Sequence, residues 1–347
     1  MTKEYVLSKV DSLELIQGVS LVGESFKGDS LSGMMFNKVD FSLVFIENSK
    51  FNDCIFVECK FSGMRAVGAD FSKSRFQSCD LSGSRLEKCA MQEAELSNSN
   101  LQRTVFDDCG VKKFDLTDCD ARKIVLRNLD LTDSNFLETK LEGADFSHSI
   151  LSESIFYKLD LRQVDFEQAV MRDVAFSGCI FGKHSFSGQN LSGSQFNEAE
   201  LEDIDFSECN LSMCNFSDSK ITRVSFLDAD ARNTLFVNSE IQDSVFSRAA
   251  LDQGLWNGAL VARSSFTSAS LTMAALHKAS FDESAFMGAD LRFADFSYAR
   301  LHKCGLDDVV LGSTKFHRVL TDTDSIKTRL GAIEKDDELF DAELWSA

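Results

Sequence analysis

The chain has no proline in 347 residues and only 3 tyrosines and 2 tryptophans. Without proline, a fold of conventional punctuated loops is excluded. Histidine is scarce too, with five (His148, His184, His277, His302 and His317). His277 and His317 share a column of the repeat described below but sit two turns apart, near 10 Å by strand spacing, too far to share a metal. There is no Gly-rich phosphate loop, Cys-x-x-Cys, His-Glu-x-x-His or nucleophile elbow, so no enzyme and no cofactor is expected. No apolar run reaches the roughly 18 residues of a membrane span. The opening Met-Thr-Lys-Glu-Tyr offers no signal core, so the expected location is cytoplasmic, with signal-independent export as the other route.

Phenylalanine is abundant, at 31, and acids outnumber bases 55 to 36 for a net charge of -19. That balance disfavours direct contact with nucleic-acid phosphates and favours basic protein surfaces. The apolar fraction of 44% is too high for a disordered acidic chain.

The phenylalanines recur every five residues. From Ile16 to Phe316 the register holds 61 positions without insertion, of which 27 are Phe and 22 Leu. Only Phe45, Phe114, Phe293 and Phe340 fall outside it. Two residues earlier the side chain is small, and all ten cysteines lie there. Between small and large positions Asp or Asn is common, as in Ala69-Asp70-Phe71 and Ala289-Asp290-Leu291. Five fits neither the 3.6 period of a helix nor the 2 of a strand. It fits a four-sided coil of 20 residues per turn, about fifteen turns in all. Glycines such as Gly63, Gly83, Gly143 and Gly193 fall where a corner needs positive φ.

The pattern resembles the pentapeptide-repeat family, Ala-(Asp/Asn)-Leu-X-X. The resemblance implies an all-β fold, a right-handed quadrilateral parallel β-helix, with a cap at 1–15, the repeat at 16–326 and an acidic tail at 327–347. Spacing modulo 20 predicts two facing aromatic ladders, one through Phe106, Phe146 and Phe286, the other through Phe136, Phe216 and Trp256, flanked by leucine ladders. The cysteines are expected to act as small core residues in a reducing compartment. Leu13 and Leu15 are expected to plug the first turn, Glu24 and Asp29 to make the first turns irregular, and Phe114 to force a bulge. Alanines at large positions, Ala66, Ala121 and Ala231, should leave gaps, with Met64 filling the first. His184 and Gln189, at successive small inward positions, read as a widened turn or a polar binding defect.

Three surfaces stand out. An apolar patch is expected from Ile150, Ile155, Val170, Ala175 and Ile180, with a looser set at Leu235, Leu255 and Leu260. An acidic girdle of Glu198, Glu200, Glu202, Asp203, Asp205, Glu208 and Asp218 lies in a stretch without Lys or Arg. The tail carries Leu339, Phe340 and Trp345 on a short amphipathic helix that caps the coil, forms a homodimer contact or enters a partner groove. Together these point to a non-enzymatic interaction scaffold with a protein partner that is basic or apolar at its docking surface. The family resemblance extends to bacterial type VI secretion accessories or secreted effectors. The alternative is a DNA mimic like the gyrase-binding quinolone-resistance members. Against it, the acids alternate with Arg223, Arg232, Arg248 and Arg263, and no loop interrupts the register.

Overall fold

The computed structural model describes residues 3–346. It forms two compact units that divide between Ala175 and Phe176. Each is a stretch of right-handed parallel β-solenoid, and together they wind about 16 turns. The count exceeds the sequence estimate because Ala332–Ile333 pairs onto Thr314–Lys315 and closes one more turn.

A side that is a turn spends its backbone N–H groups in a regular way. The large inward residue donates to the next turn, as Leu21 N to Asp40 O at 2.8 Å and Phe246 N to Ser265 O at 2.7 Å. The residue before it donates back, as Asp40 N to Val19 O at 2.9 Å. The corner residue donates forward, as Gly23 N to Ser42 O at 3.1 Å. The small residue closes the corner, as Glu24 N to Leu21 O at 3.0 Å. One N–H per side remains, just after the inward residue. Where the side is a turn and the preceding residue is Asp or Asn, that side chain accepts it: Ser82 N to Asp80 Oδ1 at 3.1 Å, Ser212 N to Asn210 Oδ1 at 3.1 Å, Ser297 N to Asp295 Oδ1 at 2.9 Å. This accounts for the Asp/Asn of the repeat and for the missing prolines, since a proline would delete one of these donors.

Every fifth residue from Gly18 to Arg318, Gln163 and Lys183 excepted, has φ between 48° and 76°. The corner glycines are therefore as expected, but most corners hold residues with a Cβ, each strained by about 1–2 kcal/mol. The inter-turn hydrogen bonds and the core offset that cost.

The core consists of the inward residues. Phe36, Phe106, Phe136, Phe216, Phe246 and Trp256 are all at most 1% exposed. Within the first unit Phe136 stacks on Phe156 at 4.7 Å and 16°, and meets Phe146 edge-on at 5.2 Å. Within the second, Phe226–Phe246 and Phe216–Phe236 stack at 4.5 and 5.1 Å, while Phe216 and Phe226 meet at 87°. Two facing ladders with edge-to-face contact are thus present, the geometry the ring quadrupole favours. Nearer the N-terminus three sides are aromatic: Phe36–Phe56, Phe41–Phe61 and Phe51–Phe71 stack at 5.1, 4.8 and 5.3 Å.

The small inward residue has a second task. Its hydroxyl or thiol donates to the carbonyl of the inward residue 23 positions earlier: Ser74 to Phe51 O at 2.6 Å, Thr104 to Leu81 O at 2.8 Å, Cys54 to Leu31 O at 3.0 Å, Cys209 to Phe186 O at 2.8 Å. Ser, Thr and Cys are interchangeable there because each is short and carries a donor. All ten cysteines are buried and outside any disulfide. Burial pushes the Cys54 thiol up to about 12 and those of Cys119, Cys209 and Cys304 up to about 11.

Three expectations are corrected. Leu13 and Leu15 are 56% and 51% exposed, and the buried residue of the cap is Val6, on α1 (Lys3–Leu7). The first turns are regular, with Ile16 opposite Phe36 and Ser25 opposite Phe45. Asp29 fits there because Lys3 reaches it at 2.6 Å while also donating to Ser25 O. Phe114 causes no bulge: Asp115–Thr117 keeps its register with both neighbouring strands. Val111 and Ala121, short residues at large positions of the same turn, leave room for its ring, which meets Phe106 at 5.5 Å. Met64 is buried beside Ala66 as expected.

Candidate docking surfaces

The inward positions are mostly filled by apolar and small side chains, and the outward columns carry the charged and exposed apolar groups. Among the described residues no group of three or more His, Cys, Asp or Glu could hold a metal. Among the described residues no helix is long and apolar enough to cross a membrane.

In the first unit Ile150 bridges Val170 and Ile155 bridges Ala175 in adjacent turns. Ile150, Ile155 and Val170 are 40%, 41% and 51% exposed. Ile150 and Val170 occupy turn-side positions where the repeat often places Asp or Asn, as at Asp130, Asn190 and Asn210 of the same column, so that acceptor is given up at both. Sequence reasoning missed Tyr157, 38% exposed on the strand Ile155–Tyr157. Its parity marks it as outward, and an outward aromatic was the available signal. Lys158 lies over its ring at 4.9 Å. Lys158 also lines a groove of about 870 Å³ with Arg122, Lys140, Glu142, Asp160 and Arg162. Its charges alternate along and across turns, and the two arginines clamp the aspartates two residues before them. Ile180 belongs to the second unit and is half-buried.

The girdle residues also lie in the second unit. Glu200 pairs with Lys220 at 3.6 Å, and Arg223 takes both Glu202 and Asp203, the latter at 2.6 Å. Asp205 accepts the Ser207 N–H at 3.0 Å. Glu198 and Glu208 are corner residues with positive φ, on different columns. The acids therefore wrap the coil and are partly neutralised from the next turn. One corner column reads Lys183, Asp203, Arg223, Asp243, Arg263, Glu283, Lys303, alternating in sign throughout. Arg263–Asp243 and Lys303–Glu283 pair at 2.7 and 2.9 Å. The Arg223 and Arg263 guanidiniums hold Asp203 and Asp243 below the ordinary carboxylate range.

Leu255 and Leu260 are 39% and 54% exposed. Met213, Met273 and Phe293, also missed, occupy corners of one column and are more than half exposed. Phe293, off the five-residue register, carried that signal. His184 stacks on Phe186 at 5.7 Å with Nδ1 on Gly182 O, and the buried Gln189 Oε1 has no partner.

At the C-terminus the end of the coil is plugged by Ile326, fully buried, not by the helix. Helix α2 (Asp337–Ser346) lies along a corner, where Glu343 meets Tyr298, His317 and Arg318. Leu339 and Phe340 are half-buried, and Trp345 is 93% exposed.

A family model described as pentapeptide repeat region matches residues 69–146 and 129–206, and one described as pentapeptide repeats (8 copies) matches 199–236 and 274–308. Together they span more than half of the chain. No curated protein matches significantly. Among solved structures, full-length QnrB1, a plasmid-mediated fluoroquinolone resistance protein, is 21% identical over 52% of this chain and 92% of its own, with TM-score 0.24. HetL from Nostoc sp. strain PCC 7120, a pentapeptide repeat protein involved in heterocyst differentiation regulation, is 17% identical over 90% of this chain and 96% of its own, with TM-score 0.17. A pentapeptide repeat protein of the Arabidopsis thaliana thylakoid lumen is 28% identical over 33% of this chain and 68% of its own, with TM-score 0.19. At these scores the likenesses say nothing about what this chain binds.

Proposed function

The chain belongs to the pentapeptide-repeat family, and from that premise we propose that it is a non-enzymatic docking scaffold that binds a protein partner through the first-unit patch. The observation that supports this most is the placement of Ile150 and Val170. Each is aliphatic and exposed where the repeat often uses a side-chain acceptor, so the chain forgoes two hydrogen bonds of about 1 kcal/mol each. Exposed apolar residues on adjacent turns, bordered by Tyr157, make a surface of the kind that interfaces use.

The test compares capture of host proteins by the intact chain and by Ile155→Asp plus Val170→Asp. Loss of one partner with an unchanged melting curve supports the reading; undiminished recovery removes the patch. Service in a type VI secretion system, or delivery as an effector, rests on the family resemblance. Host-cell fractionation and secretion assays with and without that system test it. For the DNA-mimic reading, the paired corner column is unfavourable, since a phosphate track needs acids of one sign. No gyrase inhibition or quinolone protection at micromolar protein is the expected result.

A further inference from the structure

Helix α2 has an unusual attachment. None of its described residues is buried, so no apolar core holds it in place. Polar contacts from one corner of the second unit hold it instead. Tyr298 Oη donates to Glu343 Oε1 at 2.8 Å, and Arg318 Nη2 donates to Oε2 at 2.7 Å. His317 is 2% exposed and engages the helix with both nitrogens. Nε2 lies 3.2 Å from Glu343, and Nδ1 accepts the Asp336 N–H at 3.2 Å. Asp336 in turn caps the helix through Leu339 N and pairs with Lys315 at 2.6 Å. Phe340 lies between Lys335 and Arg318, 3.8 and 5.9 Å from its ring. Beside it a cavity of about 440 Å³ runs between Phe316, His317 and Val319.

We propose that this corner is a recognition site for an acidic helix of a partner protein and that α2 is its resident, displaceable occupant. The ligand chemistry is read from the occupant: a helix with Asp at its N-cap, an aromatic ring four residues on and a carboxylate three further, all on one face. The seat is complementary, presenting Lys315 and Arg318 with a buried imidazole and a phenol, in a protein that is otherwise acidic. The described helical residues after the buried cap Asp336 are all outside the core and open at little cost, so exchange is available. A second copy is a poorer occupant than a helix on a less acidic partner, because two chains of charge -19 repel.

The test uses the full chain and a fluorescein-labelled peptide with the sequence of residues 334–346, read by anisotropy. A Phe340→Ala plus Glu343→Ala chain, whose own helix is loosened, should bind the peptide at least tenfold more tightly than the unmodified chain. Adding Arg318→Ala should weaken that at least tenfold, and Tyr298→Phe, which removes only a hydroxyl, about threefold. An alanine-based helix bearing only the Asp, Phe and Glu should bind within tenfold of the native peptide. Equal binding by the unmodified and loosened chains, or indifference to both Arg318→Ala and Tyr298→Phe, overturns the proposal. So does light scattering that shows dimers of the unmodified chain exchanging α2 between copies.

Discussion

The two units are built from one repeat but place their strands differently. In the first, the three-residue strands run on two opposite sides, one including Met35–Asn37, Ile55–Val57 and Arg75–Gln77, the other Phe45–Glu47, Arg65–Val67 and Arg85–Glu87. In the second the three-residue strands keep to one side, from Glu200–Glu202 through Lys220–Thr222 and Glu240–Gln242 to Arg300–His302, and the other three sides are turns until the short strand Thr314–Lys315 near the end. The residue before the inward position explains the choice. On the strand side of the second unit it is Glu200, Lys220, Glu240, Leu260, Ser280 and Arg300, never Asp or Asn. On the turn sides Asp205, Asn210, Asn215, Asp230 and Asp290 accept the spare N–H. The inward residues agree: Ile221, Ile241 and Val261 on the strand side are β-branched. In the second unit Asp and Asn are thus confined to the turn sides, whereas in the first Asp115 and Asn135 stand on a strand side and bond to each other instead.

The largest effect that would sharpen the comparison is in the core. Phe246→Ala in the second unit, or Phe56→Ala in the first, should cost about 3–5 kcal/mol. Local hydrogen exchange should show the loss in the mutated unit alone; equal loss of protection in both would mean that they unfold together. Next is acid. In the second unit Asp203, Asp228, Asp230, Asp243 and Asp290 are held below their ordinary range by bonded arginines. In the first, arginines do this for Asp120 and Asp160, while burial raises Asp115. A depressed carboxylate stabilises above its unfolded pKa near 4, and the benefit is lost as pH falls through the folded value. The second unit should thus lose more stability than the first between about pH 4 and pH 2. Exchange-resolved acid titration checks this, and an earlier loss in the first unit would refute it.

Much of this was legible in the sequence. The five-residue register named the inward residues, the small positions and the corners, because one side chain per side must fill the axis. Strand placement in the second unit was also written, in the absence of Asp/Asn from one column, but reading it requires knowing which N–H the ladder leaves over. The exposed Leu13 and Leu15 were misread because apolar character does not say which residue of a cap turns inward, and Val6 does so. The surfaces were least legible. The girdle acids are close in sequence yet spread around the coil, and their partners lie about 20 residues on, as Lys220 and Arg223 do for Glu200 and Asp203. Tyr157 and Phe293 carried a signal only once outward positions were fixed.

Smaller effects separate turn from strand sides further. Asp80→Ala, on a turn side, should cost about 1 kcal/mol with its Ser82 hydrogen bond. Glu240→Ala, on a strand side, should change stability by less than about 0.5 kcal/mol. Denaturant midpoints compare the two, and equal costs would remove the distinction. At the corners Met273→Gly should be neutral or stabilising by up to about 1 kcal/mol, because the methionine occupies a conformation that glycine adopts freely. Smallest in energy is thiol access. Labelling of all ten cysteines under native conditions should be slow, and rapid modification of most of them would contradict their inward orientation.

Residue-resolved amide exchange under native conditions tests the central claim most directly, that Asp and Asn are in the repeat to satisfy the one donor that the ladder leaves over. The N–H groups of Ser82, Ser212 and Ser297, bonded to Asp80, Asn210 and Asp295, should be protected. Those of Ser152 and Arg172, which follow the aliphatic Ile150 and Val170 by two positions, should exchange quickly. Equal protection at the two sets would contradict both the rule for the fold and the reading of the patch that rests on it.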